Sequence, residues 1–278
     1  MNLDFSDDEI QRYSRHILLE DVGGTGQAKL REASVLIVGA GGLGSPLALY
    51  LAAAGVGRIG LVDDDDVDLS NLQRQIAHTT ASIGTPKVAS AADRARAINP
   101  NVTIEQHRLR LDRDTILPLI ANYDIICDGT DNFGTRFLIS DATVLARKTL
   151  VSAAVLRFEG QLSVFKPHVA LPDGGHCPCY RCLYPEPPPP GMVPTCSEAG
   201  VLGAVTGVMG TLQATEVLKE ILGIGETLAG RLLIWDALAT RFRTVKLRAD
   251  PGCAACGSTP SIHDLSAHTD TAGPLCAL

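Results

Sequence analysis

Val35-Leu36-Ile37-Val38-Gly39-Ala40-Gly41-Gly42-Leu43-Gly44 reads as a strand running into a glycine turn. The short β-branched run predicts a buried strand that stops at Gly39, and the Ala/Leu-rich segment 45–54 predicts the helix behind it. Gly39, Gly41 and Gly44 fit the G-x-G-x-x-G spacing, with Gly42 inside it. Residues without Cβ let the backbone bend sharply and approach a phosphate, and the helix N-terminus offers that anion free N–H groups and a partial positive charge. A second strand, 57–62, ends at Asp63, 24 residues beyond Gly39. That is about where an acidic residue meets the ribose of a bound nucleotide. The context predicts a nucleotide site without naming the nucleotide; a tight turn with no ligand is the plainer alternative.

The 278 residues are 45% hydrophobic and 20% charged, ordinary for a globular α/β protein. The acidic start, residues 1–10, has neither the basic nor the apolar segment of a signal peptide, and no apolar run reaches membrane-spanning length. A net charge of −7 without a dense Lys/Arg stripe argues against nonspecific nucleic-acid binding. Eight cysteines without a secretion signal point to metal or thiol chemistry in a reducing, cytoplasmic setting.

Outward from the glycine turn, residues 1–33 read as a helical arm, with Ser6 and Glu9 forming a capping box and Arg12 and Arg15 on one helix face. Residues 22–26 read as a flexible turn. Five acids occupy positions 63–68, at the carboxyl edge of a sheet, where open α/β sheets bind ligands. Plain solvation is preferred for Asp64, Asp66 and Asp68, which leaves Asp63 and Asp65 as candidate nucleotide contacts. Pro86 suits the start of a helix that runs to Ile98. Lys87 in that helix's first turn opposes the dipole, a misfit that favours a phosphate contact. Further strands are expected at 102–108, 123–127 and 150–153, and helices at 112–121 and 133–147. Asp131, just past a strand end, either holds Mg²⁺ or caps the helix after it. This alternation predicts a Rossmann-like, doubly wound, mostly parallel sheet.

The second half changes character. Segments 160–165, 231–235 and 242–247 read as an antiparallel extension, and 202–222 as a long apolar helix rich in small residues. The run Pro185 to Pro190 reads as an extended, exposed crossover, with Cys196 beyond it as a candidate reactive thiol. Cys179-x-x-Cys182 and Cys253-x-x-Cys256 can supply four thiolates to one tetrahedral Zn²⁺. The spacing also suits redox chemistry, but neither pair sits at a strand-to-helix turn of the redox type. His176 and Cys177 are spare, and Cys127 reads as core. The organisation expected is one adenylating domain over 1–257, made of the arm 1–33, a nucleotide-binding half 34–154 and a crossover and zinc-bearing half 155–257. A disordered tail is expected over 258–278.

Arg12-Tyr13-Ser14-Arg15, the glycine turn, Ser70-Asn71-Leu72-Gln73-Arg74-Gln75, Pro86-Lys87, Thr130-Asp131-Asn132 and the two C-x-x-C pairs together resemble the ThiF/MoeB/HesA family, bacterial relatives of the ubiquitin-activating enzymes. The resemblance implies adenylation, by MgATP, of the C-terminal glycine of a small ubiquitin-like sulfur carrier ending in Gly-Gly. By the same resemblance the glycine turn lies under the α-phosphate and Asp63 holds the ribose. Asn71, Arg74 and Lys87 contact phosphates, and Asp131 serves Mg²⁺. Arg15 is similar to an arginine contributed by the partner of a homodimer, Cys179, Cys182, Cys253 and Cys256 match zinc ligands, and Cys196 matches a crossover cysteine linked to covalent chemistry with the carrier. The rhodanese-like domain of longer relatives has no counterpart here, which implies a separate sulfur donor. Three rival readings are adenylation of another carboxylate or a nucleoside, a nicotinamide-dependent oxidoreductase resting on the glycine turn and Asp63 alone, and a non-catalytic relative.

Overall fold

A computed structural model describes residues 3–171, 175–189, 192 and 199–268. Its centre is β1 (Ser34–Val38), whose five residues are all buried. Side chains alternate across a strand, so Val35 and Ile37 face one core while Leu36 and Val38 face another. Both faces of the sheet are therefore covered, as an unbroken apolar run requires. β1 pairs in parallel with β2 (Arg58–Val62) on one side and β4 (Ile125–Asp128) on the other. β3 (Thr103–His107) lies outside β2, and β5 (Thr149–Leu156) outside β4. β6 (Glu159–Phe165), β7 (Arg231–Asp236) and β8 (Arg241–Lys246) then add antiparallel strands, giving the order β3-β2-β1-β4-β5-β6-β7-β8. The doubly wound, mostly parallel sheet and its antiparallel extension are thus as expected.

The first core packs α3 (Gly44–Ala54) and α4 (Lys87–Ile98) with a long helix, Gly203–Leu222, α8 in chain order. The second packs α5 (Ile116–Ile120), α6 (Phe133–Leu145) and the short α7 (Tyr180–Leu183). The small residues of α8 serve α3 and the sheet: α8 lies along α3, β5 and β6. Gln213 of α8 is fully buried and its Nε2 donates to the Asp128 and Val151 carbonyls, both at 2.9 Å. It bridges the carboxyl end of β4 and the first half of β5.

The N-terminal arm holds two helices. α1 (Asp7–Ile17) starts on the expected capping box: Ser6 Oγ accepts from the Glu9 N–H and the Glu9 carboxylate accepts from the Ser6 N–H. α2 (Gly23–Glu32) begins inside the segment expected to be a flexible turn. Tertiary packing overrides the poor helix propensity at Gly26, where a Cβ would sit 3.0 Å from both Leu222 and Val22. The tail expectation also needs correcting for residues 258–268. Leu265 is buried in the second core, Ile262 packs beside the cysteine cluster, and His268 Nε2 lies 2.7 Å from Asp141 Oδ2. Apolar side chains that find a core repay the ordering of a sparsely hydrophobic segment. Residues 269–278 lie outside the described residues. No described helix is long and apolar enough to cross a membrane.

Candidate nucleotide site and cysteine cluster

From β1 the chain builds outward through β2 to β3 on one side and then crosses to β4 on the other, and ligands of open α/β sheets bind where the strand order reverses in this way. A cleft of about 580 Å³ opens there, at the carboxyl ends of β1, β2, β4 and β5. Gly39, Gly41, Gly42, Asp63, Asp65, Arg74, Lys87 and Asp131 all line it, so the fold gathers most of the sequence-expected site. Gly44 starts α3 immediately behind it. Its missing Cβ is what lets the helix abut the Gly39 carbonyl, while Gly39 itself takes φ +94°, a left-handed conformation.

The acidic run divides by role. Asp63 Oδ2 accepts from the Ala40 N–H at 2.8 Å and Oδ1 from the Asp65 N–H at 3.0 Å, so this carboxylate pins the glycine turn to the end of β2. Burial pushes its carboxyl above the usual range, against the pull of Lys87. Asp65 Oδ2 meets Lys87 Nζ at 2.6 Å. Lys87 is 6% exposed, and this ion pair is how the helix start tolerates a buried cation. Asp66 pairs with Arg108 at 2.8 Å, and Asp68 caps a short turn by accepting from Ser70. Asp64, Asp66 and Asp68 are all exposed, in keeping with solvation, and Asp64 also lines the cleft within 4.8 Å of Asp63 and Asp65.

Asn71 is not among the cleft-lining residues; its Oδ1 accepts from the Asp68 N–H at 3.1 Å. Arg74 leans into the cleft with its guanidinium on the Ser70 carbonyl at 3.0 Å. Asn132, rather than Asp131, caps α6, accepting from the Thr135 N–H at 2.8 Å, which leaves Asp131 exposed on the cleft wall. Arg15 lies exposed on α1, away from the cleft lining. Cys196 lies outside the described residues.

Sequence reasoning assigned no role to Arg136, Gln75 and Arg110, which line the cleft, or to Asp128 just behind its wall. Asp128 is fully buried and accepts from Thr130 Oγ1 at 2.6 Å and Ser152 Oγ at 2.7 Å. It also pairs with Arg136 Nε at 2.9 Å, and Arg136 donates to the Thr130 carbonyl at 2.6 Å. This network fixes the loop that presents Asp131. Gln75 is 4% exposed and lines the cleft, and its Oε1 has no hydrogen-bond partner among the described residues. A buried acceptor in a cleft wall can take a hydrogen bond from a ligand donor or from water. Arg110 adds a further cation to the lining.

The two C-x-x-C pairs converge elsewhere, beside α6. Cys179–Cys253 Sγ atoms are 3.5 Å apart, Cys182–Cys256 3.4 Å and Cys179–Cys182 3.9 Å. A tetrahedral zinc with Zn–S bonds of ~2.3 Å needs sulfur separations of roughly 3.8 Å. The four thiols therefore fit that ion closely. Hydrogen bonds from Cys179 and Cys256, with one from the Asp250 N–H, hold Cys182 down as a thiolate, while its neighbour Cys179 is pushed up, first by that same contact. A bound cation would take the place of the remaining thiol protons and let all four sulfurs ligate as thiolates. His176 and Cys177 stay outside the cluster, and Cys127 is core, as expected.

Comparison with known proteins adds the following. The sequence model of the ThiF family matches residues 13–255. The sulfur carrier protein adenylyltransferase of Thermus thermophilus is 48% identical over 258 residues, 93% of this chain and 94% of that protein. The probable adenylyltransferase/sulfurtransferase MoeZ of Mycobacterium tuberculosis is 53% identical over 260 residues, 94% of this chain but 64% of that one. For the adenylyltransferase and sulfurtransferase MOCS3 of Anopheles gambiae the identity is 51%, over 94% of this chain and 58% of the relative. The chain thus spans less than two thirds of these last two. Among solved structures, E. coli MccB with ATP gives a TM-score of 0.76 at 22% identity, covering 88% of this chain and 74% of that one, a likeness of fold alone. The family match runs from the arginine-bearing first helix to the second cysteine pair, across every strand of the sheet, and the chain belongs to the ThiF family.

Proposed function

We propose that this protein is an adenylyltransferase. It binds MgATP in the cleft and transfers AMP to the C-terminal glycine carboxylate of a ubiquitin-like sulfur carrier ending in Gly-Gly, releasing pyrophosphate. The observation that carries the reading is the convergence of the glycine turn, Arg74, Lys87 and Asp131 on one cleft at the switch point of the sheet. The named activity of the Thermus thermophilus relative, which the chain matches over nearly its whole length, supports it.

A carboxylate oxygen of the carrier attacks the α-phosphorus, the bond to the β-phosphate oxygen breaks, and an acyl-adenylate forms. The nucleophile is already ionised at neutral pH, so no general base is needed. Negative charge builds on the α-phosphate oxygens and the leaving pyrophosphate. Preorganised N–H groups and cations stabilise such charge. The turn at Gly39–Gly44 meets the α-phosphate, Asp63 the ribose, and Arg74, Lys87 and the amide of Asn71 the phosphate oxygens. Lys87 is already held at the cleft wall by Asp65. Asp131, an exposed carboxylate on the wall, suits a hard cation that takes oxygen ligands, and Mg²⁺ there would neutralise phosphate charge. A homodimer would bring the partner's copy of the first helix, with its arginine, to the cleft. Cys196 would act on the activated carrier after adenylation. The thiol cluster and the use of ATP suit the cytoplasm. A nicotinamide oxidoreductase would leave Arg74, Lys87 and Asp131 without a task.

The test is ATP–pyrophosphate exchange with Mg²⁺, with and without candidate carriers ending in Gly-Gly. Carrier-dependent exchange is expected, and it should persist in Cys196→Ala. Absence of exchange with every carrier, or tight NAD(H) binding, would count against the proposal.

A further inference from the structure

Ala40, the second residue of the glycine turn, is 2% exposed, and both of its backbone polar groups are held by side chains. Its N–H donates to Asp63. Its carbonyl lies 3.0 Å from Nε2 of His78, a residue 6% exposed and placed by the same turn that carries Arg74 and Gln75. The other ring nitrogen, Nδ1, lies 3.0 Å from Ser90 Oγ, one helical turn beyond Lys87 on α4. Ser90 Oγ is in turn 3.0 Å from Ser82 Oγ. A carbonyl oxygen only accepts, so Nε2 carries the ring proton and Nδ1 accepts from the Ser90 hydroxyl. Burial, with Lys87 nearby, lowers the tendency of this ring to protonate, which keeps it in that neutral form.

These contacts close a circuit. Ala40 leads to Asp63, Asp63 to the Asp65 backbone, Asp65 to Lys87, α4 to Ser90, and His78 back to Ala40. The circuit joins the three pieces that surround the phosphates: the glycine turn, the Arg74 turn and the Lys87 helix. We propose that His78 is a positioning residue for the nucleotide phosphates, bridging the Ala40 carbonyl and the Ser90 hydroxyl so that the N–H groups of the glycine turn and the ammonium of Lys87 are held at a fixed separation. The proposal rests on the adenylation reading and adds a residue that itself touches no substrate. Without the imidazole the Ala40 carbonyl is a buried acceptor with no partner, and the peptide that aims the turn is free to rotate.

The conservative variants separate the two bonds. Glutamine places an amide donor about where Nε2–H stands, whereas the shorter asparagine places its amide near Nδ1 and does not reach Ala40. Calorimetric titration with MgATP and exchange kinetics should give His78→Ala roughly tenfold weaker nucleotide binding and a raised KM for ATP, with the KM for the carrier unchanged. His78→Gln should recover most of the loss and His78→Asn little. Should His78→Ala fail to fold, Ser90→Ala provides the second arm, with KM for ATP raised roughly threefold because the ring is then held at one end only. Folded variants that bind MgATP like the wild type, or Gln and Asn variants equally impaired, would overturn the assignment alone. A wild type that binds no MgATP would overturn the adenylation reading and this assignment together.

Discussion

Lys87 and Arg74 illustrate how a cation can matter to chemistry and little to folding. Lys87 is buried, but its partner Asp65 is exposed, with 66% of its side chain in solvent, and is readily rehydrated when the ammonium is removed. Lys87→Ala and Arg74→Ala are each expected to lower kcat/KM in the exchange assay by roughly 10²–10³-fold, the scale of losing one preorganised charge contact. Thermal unfolding should move by only a few degrees. Gly44→Ala has the opposite profile. A methyl group there collides with the Gly39 carbonyl, and a cost of at least ~3 kcal/mol is expected by denaturant unfolding. At this scale the sequence was informative wherever chemistry and position coincided. Gly39, Asp63 and Lys87 each stand out by type and position in the sequence, and the structure brings all three to one cleft. Asp128, Arg136 and His78 were not legible, because a buried polar residue looks like a surface one until its partners, which lie far along the chain, are brought to it.

Among the elements, α6 and the segment after the second cysteine pair depend on one another through Asp141. Its side chain is fully buried, with Arg181 Nε at 2.7 Å from Oδ1, and Arg181 Nη2 at 2.8 Å and His268 Nε2 at 2.7 Å from Oδ2. Burial would push this carboxyl up, but the hydrogen bonds from His268 and Arg181 outweigh it and hold the carboxyl below its usual range. A depressed folded-state value means stability that is fully present above the unfolded-state value near 4 and lost as pH falls through the lower folded one. Asp141→Asn should therefore be less stable than wild type by about 3 kcal/mol at pH 7, since it leaves Arg181 buried without its counter-charge. The gap should narrow below about pH 4. Chemical denaturation across that range checks both statements. The tail was misread because its few apolar residues, Ile262 and Leu265, carry no periodicity. Their burial depends on a surface built by α6, α7 and the cysteine cluster. α2 was misread because Gly23, with its φ of +58°, does make a turn, but the helix starts on it, and Gly26 inside the helix is there for close packing against Leu222 and Val22.

At the scale of the whole molecule, the parallel half of the sheet was readable because each βα unit announces itself by a strand, a turn and a helix. The antiparallel half was readable only as three strands, since the pairing of β6 with β7 spans the crossover and leaves no local mark. Among the described residues, Arg15 and Asn71 are sequence-expected site residues that a single chain does not bring to the cleft lining, and Arg15 lies on the separate first helix. If a second copy supplies it, mixing Arg15→Ala with Lys87→Ala protein should restore roughly a quarter of wild-type exchange, one intact site in half of the dimers, although each variant alone is dead. A mixture as inactive as its parts would remove the shared-site reading. The cysteine cluster has one more consequence. Cys179 and Cys182 precede the crossover; Cys253 and Cys256 follow it, together with α8, β7 and β8. Each side contributes half of the tetrahedral thiolate set and one strand of the β6–β7 ladder. The two sides of the crossover are thus joined by the cysteine cluster and a strand ladder as well as by the chain. Expressed as separate pieces, 1–189 and 200–278 should reassemble on adding zinc and part on chelation, a metal-gated complementation system in which reunion of the halves can be followed directly by co-elution.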